Sequence, residues 1–119
     1  MKTKHKRKID RIRTKARRNI SVLLERQNHK CKYCDKLIFS PKYLREIEKS
    51  YKIILNIASL IIYEIEGLNI IFNKATVDHI KDINEGGNNY INNLVAACYD
   101  CNKNKNKKKQ FKNRRKNEY

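Results

Sequence analysis

The stretch from Ala75 to Lys105, ATVDHIKDINEGGNNYINNLVAACYDCNKNK, decides how this chain is read. Within about thirty residues, the length of one supersecondary unit, it sets Asp78 beside His79, then Gly86-Gly87, then Asn93-Leu94, then Cys98-x-x-Cys101-Asn102. Few core-forming segments carry that density of polar, chemically able residues. Immediately upstream, Leu68 to Phe72 reads as a strand that enters it.

A second Cys-x-x-Cys pair, Cys31 and Cys34, lies roughly sixty residues before the first. The two-residue spacing folds the backbone back on itself and points both sulfurs at one metal. Compartment decides what four such thiols do. Residues 1–18 are strongly basic and are not followed by an apolar core and a small-residue cleavage site, so no signal peptide is apparent. The longest apolar-rich run, Ile53 to Ile65, falls short of the roughly 20 residues that cross a bilayer. An intracellular, reducing location without a membrane is therefore expected, cytoplasmic or nucleoid-associated. There, Cys31, Cys34, Cys98 and Cys101 are ligands of one structural Zn2+ sooner than disulfides or a redox dithiol. His29 could offer a ligand from the same side, but four cysteines suffice. Zinc closed on four thiolates keeps no position for water, so any catalytic metal belongs elsewhere.

The 119 residues hold 29 Lys and Arg against 12 acids, a formal net charge of +17. That length bounds the chain to one domain, and that excess of positive charge favours a polyanionic partner, nucleic acid first. A basic membrane-surface protein would need an amphipathic helix with a cationic face or a lipidation signal, and neither terminus shows one. Residues 1–18 read as a basic arm that contacts phosphates, Arg17 and Arg18 among them, and 110–119 as a basic tail. Between them, 19–109 forms the folded unit.

Within that unit the apolar cluster Ile20, Val22, Leu23 and Leu24 predicts a short helix ahead of the first cysteine pair. Leu37-Ile38-Phe39 suits a strand. Ser40-Pro41 has the form of a helix start, a hydroxyl at the cap and a proline at the first helical position. Leu44, Ile47, Tyr51, Ile54, Leu55, Ala58, Ile62 and Ile65 follow with three-and-four spacing, which predicts one long amphipathic helix over about 40–67. Its broad apolar face packs on the core or meets a partner subunit.

The residues from Asp78 onward resemble the HNH endonuclease family. The pattern is Asp78-His79-Ile80, Gly86-Gly87, Asn93-Leu94 and Cys98-x-x-Cys101-Asn102-x-x-Lys105, in the family's order and spacing, and the Cys31/Cys34 pair matches its four-cysteine, zinc-containing branch. The likeness spans roughly Lys30 to Lys105, interrupted by the 40–67 insert. Asp82 stands where many members have proline, and Asn102 where the last histidine of the family name would be.

That resemblance implies an α+β fold, a small zinc-stabilised ββα-metal domain with strands around Asp78-His79 and Leu94-Ala97 and a helix opening near Cys98. It also implies roles. His79 is the general base that accepts the water's proton. Asp78 and Asn102 offer oxygen donors to a catalytic Mg2+ or Mn2+. Asn93 orients the loop and so His79, while Lys103 and Lys105 contact flanking phosphates. The activity implied is hydrolysis of phosphodiester bonds in double-stranded DNA by a one-metal mechanism; a homodimer or two successive nicks would cut both strands. A zinc-stabilised nucleic-acid-binding protein without catalysis is the competing reading. Homing, restriction, phage packaging and mobile-element roles all use such a site, and the sequence has no separate recognition domain to choose among them.

Overall fold

The computed structural model of the protein describes residues 3–104. Lys105 and the 110–119 tail lie outside the described residues.

The basic N-terminal segment is a helix. Thr3 caps α1 (Lys4–Ala16) by accepting from the Lys6 amide at 3.2 Å. Its few apolar residues explain why it holds to the body, since Ile9 and Ala16 are buried while the cations around them stay in solvent. A 3-10 turn at Arg17–Asn19 leads into α2 (Ile20–Arg26), the short helix expected there, which buries Leu23 and Leu24.

The expected cap at Ser40 is present. Its hydroxyl accepts from the Tyr43 amide at 3.2 Å, Pro41 occupies the first turn, and α3 runs over Pro41–Glu48. The helix then stops, and the long helical insert predicted over about 40–67 is replaced by a β-meander. Strands β1 (Lys52–Asn56), β2 (Leu60–Ile65) and β3 (Leu68–Asn73) form an antiparallel sheet in that order. Two local preferences override the helical spacing. Six isoleucines fall between positions 53 and 65, and branching at Cβ stiffens a side chain against the helix and suits it to the pleat. Glu66 and Gly67 both take positive φ, 52° and 79°, which a two-residue primed hairpin turn requires and a helix forbids. Burial along β2 accordingly has period two, with Ile61 and Tyr63 inward and Glu64 outward. Tyr63 donates its hydroxyl to the Leu44 carbonyl at 3.0 Å, which seats α3 on this sheet.

Leu37 to Phe39, read above as a strand, makes only single bridges, Lys30 with Leu37 and Phe39 with Lys74. Phe39 links the two halves of the molecule. Its amide donates to the Asn73 carbonyl and its carbonyl accepts from the Ala75 amide, each at 2.9 Å.

The second sheet is the antiparallel pair β4 (Ala75–His79) and β5 (Leu94–Cys98), in the register Asp78 opposite Val95 and His79 opposite Leu94. Helix α4 (Tyr99–Lys103) follows β5 without a loop, Cys98 acting as its cap. The main core lies here, where Leu23, Leu24, Ile38, Leu94, Ala96 and Ala97 pack with three of the cysteines. The fold is thus a small mixed helix-and-sheet structure in which β4, β5 and α4 form a ββα unit, and the insert beside it is a sheet with one short helix.

Candidate metal centres and nuclease site

The four cysteine sulfurs converge. All lie within 4.8 Å of one another, with Cys34 and Cys98 at 3.9 Å, although the pairs are distant in the chain. Four ligands at about 2.3 Å from a tetrahedral zinc stand about 3.8 Å apart, so this cluster is compatible with a structural Zn2+. Backbone geometry sets the first pair. The Cys31 amide donates to the Lys36 carbonyl at 2.8 Å and the Asp35 amide to the Cys31 carbonyl at 3.1 Å, while His29 and Asp35 take positive φ at either end of the turn. His29 is outside the cluster. Burial disfavours the Cys31 thiolate, but the Cys98, Tyr33 and Cys34 backbone amides and the Cys34 side chain outweigh it and take the thiol down to about 7. Burial raises the Cys98 thiol, against the opposing hydrogen bonds of Cys101. A sulfur held as thiolate is the form a cation takes.

Gln27 ties this turn to the ββα unit. Its side-chain amide donates to the Ala96 carbonyl and accepts from the Ala96 amide, both at 2.8 Å, as a neighbouring strand would. The Lys32 amide also donates to the Ala96 carbonyl, at 3.1 Å. Tyr33, between the first two cysteines, then reaches the second site, where its hydroxyl donates to Asp78 Oδ2 at 2.5 Å. Burial, followed by that hydrogen bond and the carboxylate's charge, pushes the Tyr33 phenol far up, so it stays a donor.

Asp78 and His79, side by side at the end of β4, are 3 % and 7 % exposed. In such surroundings their interactions are less screened than in water. His79 Nε2 lies 2.8 Å from Asn89 Oδ1, and Asn89 Nδ2 donates to the Ile12 carbonyl of α1 at 2.8 Å. Because the Asn89 oxygen only accepts, this contact suits the tautomer with the ring proton on Nε2.

Asn93 holds the loop between β4 and β5. Its oxygen accepts from the Lys81 amide at 2.8 Å, and its Nδ2 donates to the carbonyls of Lys81 at 3.1 Å and Asn88 at 2.8 Å. The double glycine lets the loop close. The Gly87 amide donates to the Asp82 carbonyl at 2.8 Å, and a Cβ on Gly87 would stand 1.8 Å from the Lys81 carbonyl oxygen. Asp82, where a proline is common in the resemblance, caps a 3-10 turn by accepting from the Asn84 amide at 3.1 Å.

Asn102, on α4, donates Nδ2 to Thr76 Oγ1 at 3.0 Å and to the Val77 carbonyl at 3.4 Å. These bonds fix the side chain against the backbone just before Asp78 and leave its carbonyl oxygen as the end suited to a cation. Lys103 is exposed, its Nζ 5.6 Å from the centre of the Tyr99 ring. Arg17 and Arg18 are exposed in a turn that packs beside β4.

A strand bearing Asp-His, a loop closed by Asn93, a strand ending in cysteine and a helix carrying Asn102 form one contiguous unit. Residues 65–108 match the HNH endonuclease family. The HNH segment takes in β3, β4, β5 and α4, and an HNH endonuclease domain points to nuclease activity. No curated protein and no solved structure gives a match. Among the described residues, no helix is long and apolar enough to cross a membrane.

Two residues beside the HNH site, Tyr33 and Asn89, carry no signal of their own in the sequence. Tyr33 sits in a cysteine turn whose neighbours explain its presence, and Asn89 is one of several asparagines in the loop. Only the fold shows which of them reach Asp78 and His79.

Proposed function

We propose that the protein is a metal-dependent endonuclease that hydrolyses phosphodiester bonds in double-stranded DNA, with His79 as general base. What supports the reading is the gathering of Asp78, His79 and Asn102 on one ββα unit inside the segment that matches the HNH family. Hydrolysis needs a deprotonated water, countercharge on the phosphoryl oxygens and relief for the leaving oxygen.

His79 takes the water's proton at Nδ1, since the Asn89 contact suits a ring proton on Nε2. Oxygen then bonds to phosphorus, the bond to the leaving oxygen breaks, and that oxygen is protonated from solvent. Asn93 keeps the loop closed so that the imidazole holds its direction. Tyr33 orients the Asp78 carboxylate by occupying one of its oxygens. The oxygen-only donor set of Asp78 and Asn102 fits a hard divalent ion, and Mg2+ or Mn2+ there would supply positive charge at the scissile phosphate. Zn2+ on the four sulfurs would supply folding free energy to a chain of this size. Lys103, Lys105, Arg17 and Arg18 add phosphate contacts.

Cleavage of a supercoiled plasmid in Mg2+ tests the reading. Nicked or linear product from the parent protein and none from His79→Ala supports it; no cleavage in any divalent metal would leave a zinc-stabilised binding protein.

A further inference from the structure

We propose that α1 is the docking element for the phosphodiester backbone of duplex DNA, bound along one stripe of its surface and held in place against the loop residue Asn89 that meets His79. The inference rests on the nuclease reading for its substrate but on separate residues for its evidence. The helix has seven basic residues and one acid, Asp10. Lys4, Lys8, Arg11 and Lys15 recur at the four-three-four spacing that puts residues on one helical face. All four are exposed, and with Arg7 and Ile12 they line one groove. A continuous cationic stripe with room beside it is complementary to a line of phosphates, and among the described residues no acid lines that groove.

Its position is what distinguishes this stripe from a solvated basic arm. Ile9 and Ala16 are buried, and the Ile12 carbonyl takes the Asn89 amide whose oxygen meets His79. One asparagine therefore spans the docking helix and the base. A backbone seated on the groove therefore lies against the helix that this asparagine ties to the imidazole.

The test is the salt dependence of binding, measured by fluorescence anisotropy on a duplex DNA of random sequence, with the full zinc-retaining chain and no added Mg2+. Each phosphate neutralised contributes about −0.9 to the slope of log K against log salt, so changing Lys4, Lys8, Arg11 and Lys15 together to Gln should flatten it by about 3.6. Gln keeps helix propensity, and unchanged far-ultraviolet circular dichroism confirms that α1 persists. A control removing the same charge from Lys36, Lys42, Lys49 and Lys52, which are exposed elsewhere, should flatten it by less than about 1. An unchanged slope in the stripe variant, an equal loss in the control, or a stripe effect on duplex RNA with none on DNA would overturn the proposal. Failure of the nuclease reading looks different, as a parent protein that keeps the stripe-dependent slope but cuts nothing in Mg2+.

Discussion

Gln27→Ala should unfasten the cysteine turn from the ββα unit, and its cost can be worked from the bonds it removes. Gln27 Nε2 donates to the carbonyls of Ala96 at 2.8 Å and Lys30 at 2.9 Å, and its oxygen accepts from the Ala96 amide at 2.8 Å. The losses are unequal. The Ala96 carbonyl keeps the Lys32 amide, and Lys30 is exposed enough for water to replace the lost donor. The Ala96 amide belongs to a residue with 0 % exposure, so its replacement partner would have to enter the core. An orphaned buried donor costs about 1–3 kcal/mol, and the lost bonds add about 1 kcal/mol, giving about 2–4 kcal/mol in all. With a urea dependence of about 1.5 kcal/mol per molar, the unfolding midpoint should fall by about 1–3 M, followed by circular dichroism at fixed zinc concentration. Gln27→Met, which keeps the stem but not the amide, should behave like the alanine variant. A midpoint within about 0.3 M of the parent, or full rescue by methionine, would show that packing and not the mimicked strand pairing holds this seam.

Tyr33→Phe removes the hydroxyl that Asp78 accepts from and little else. A bond to a charged group is worth about 1.5–3 kcal/mol, so cleavage at saturating DNA should drop about 10- to 100-fold, and more Mg2+ should be needed for half-maximal rate; equal rates at every Mg2+ concentration would remove Tyr33 from the site. Gly87→Ala puts a Cβ 1.8 Å from the Lys81 carbonyl oxygen, so the loop must open. Activity should fall at least about 100-fold while the zinc content stays, whereas parental activity would mean the loop does not position His79. Stripping metal with a strong chelator should release one zinc per chain and abolish the cooperative thermal transition, and re-addition of Zn2+ should restore it. Retention of the transition in metal-free protein would show that the sulfurs are not structural ligands.

The HNH unit was legible because its residues have few other uses in that order. Cys-x-x-Cys turns, a Gly-Gly loop and the Ser40-Pro41 cap each prescribe a local backbone, and the structure has all of them. The insert was not legible from spacing. Apolar residues are so dense between Ile53 and Ile65 that they satisfy helical and alternating templates alike, and the deciding signals were branching at Cβ and the Glu66-Gly67 turn. The N-terminal helix was hidden for the opposite reason. Only Ile9, Ile12 and Ala16 offer it apolar contact, so composition alone describes a solvated arm, and one of the bonds that hold it comes from Asn89, far along the chain. Tyr33 and Asn89 belong to the same class, residues whose partners are set by tertiary placement and by no local pattern.

The most direct measurement is strand scission of supercoiled plasmid DNA by the zinc-retaining protein in Mg2+, set beside His79→Ala carrying the same zinc. The parent is expected to convert the plasmid to nicked and then linear forms, and the alanine variant to be at least about 100-fold slower with its DNA binding intact. Equal scission by the two proteins would contradict the assignment of the base, and with it the chemistry built on this site.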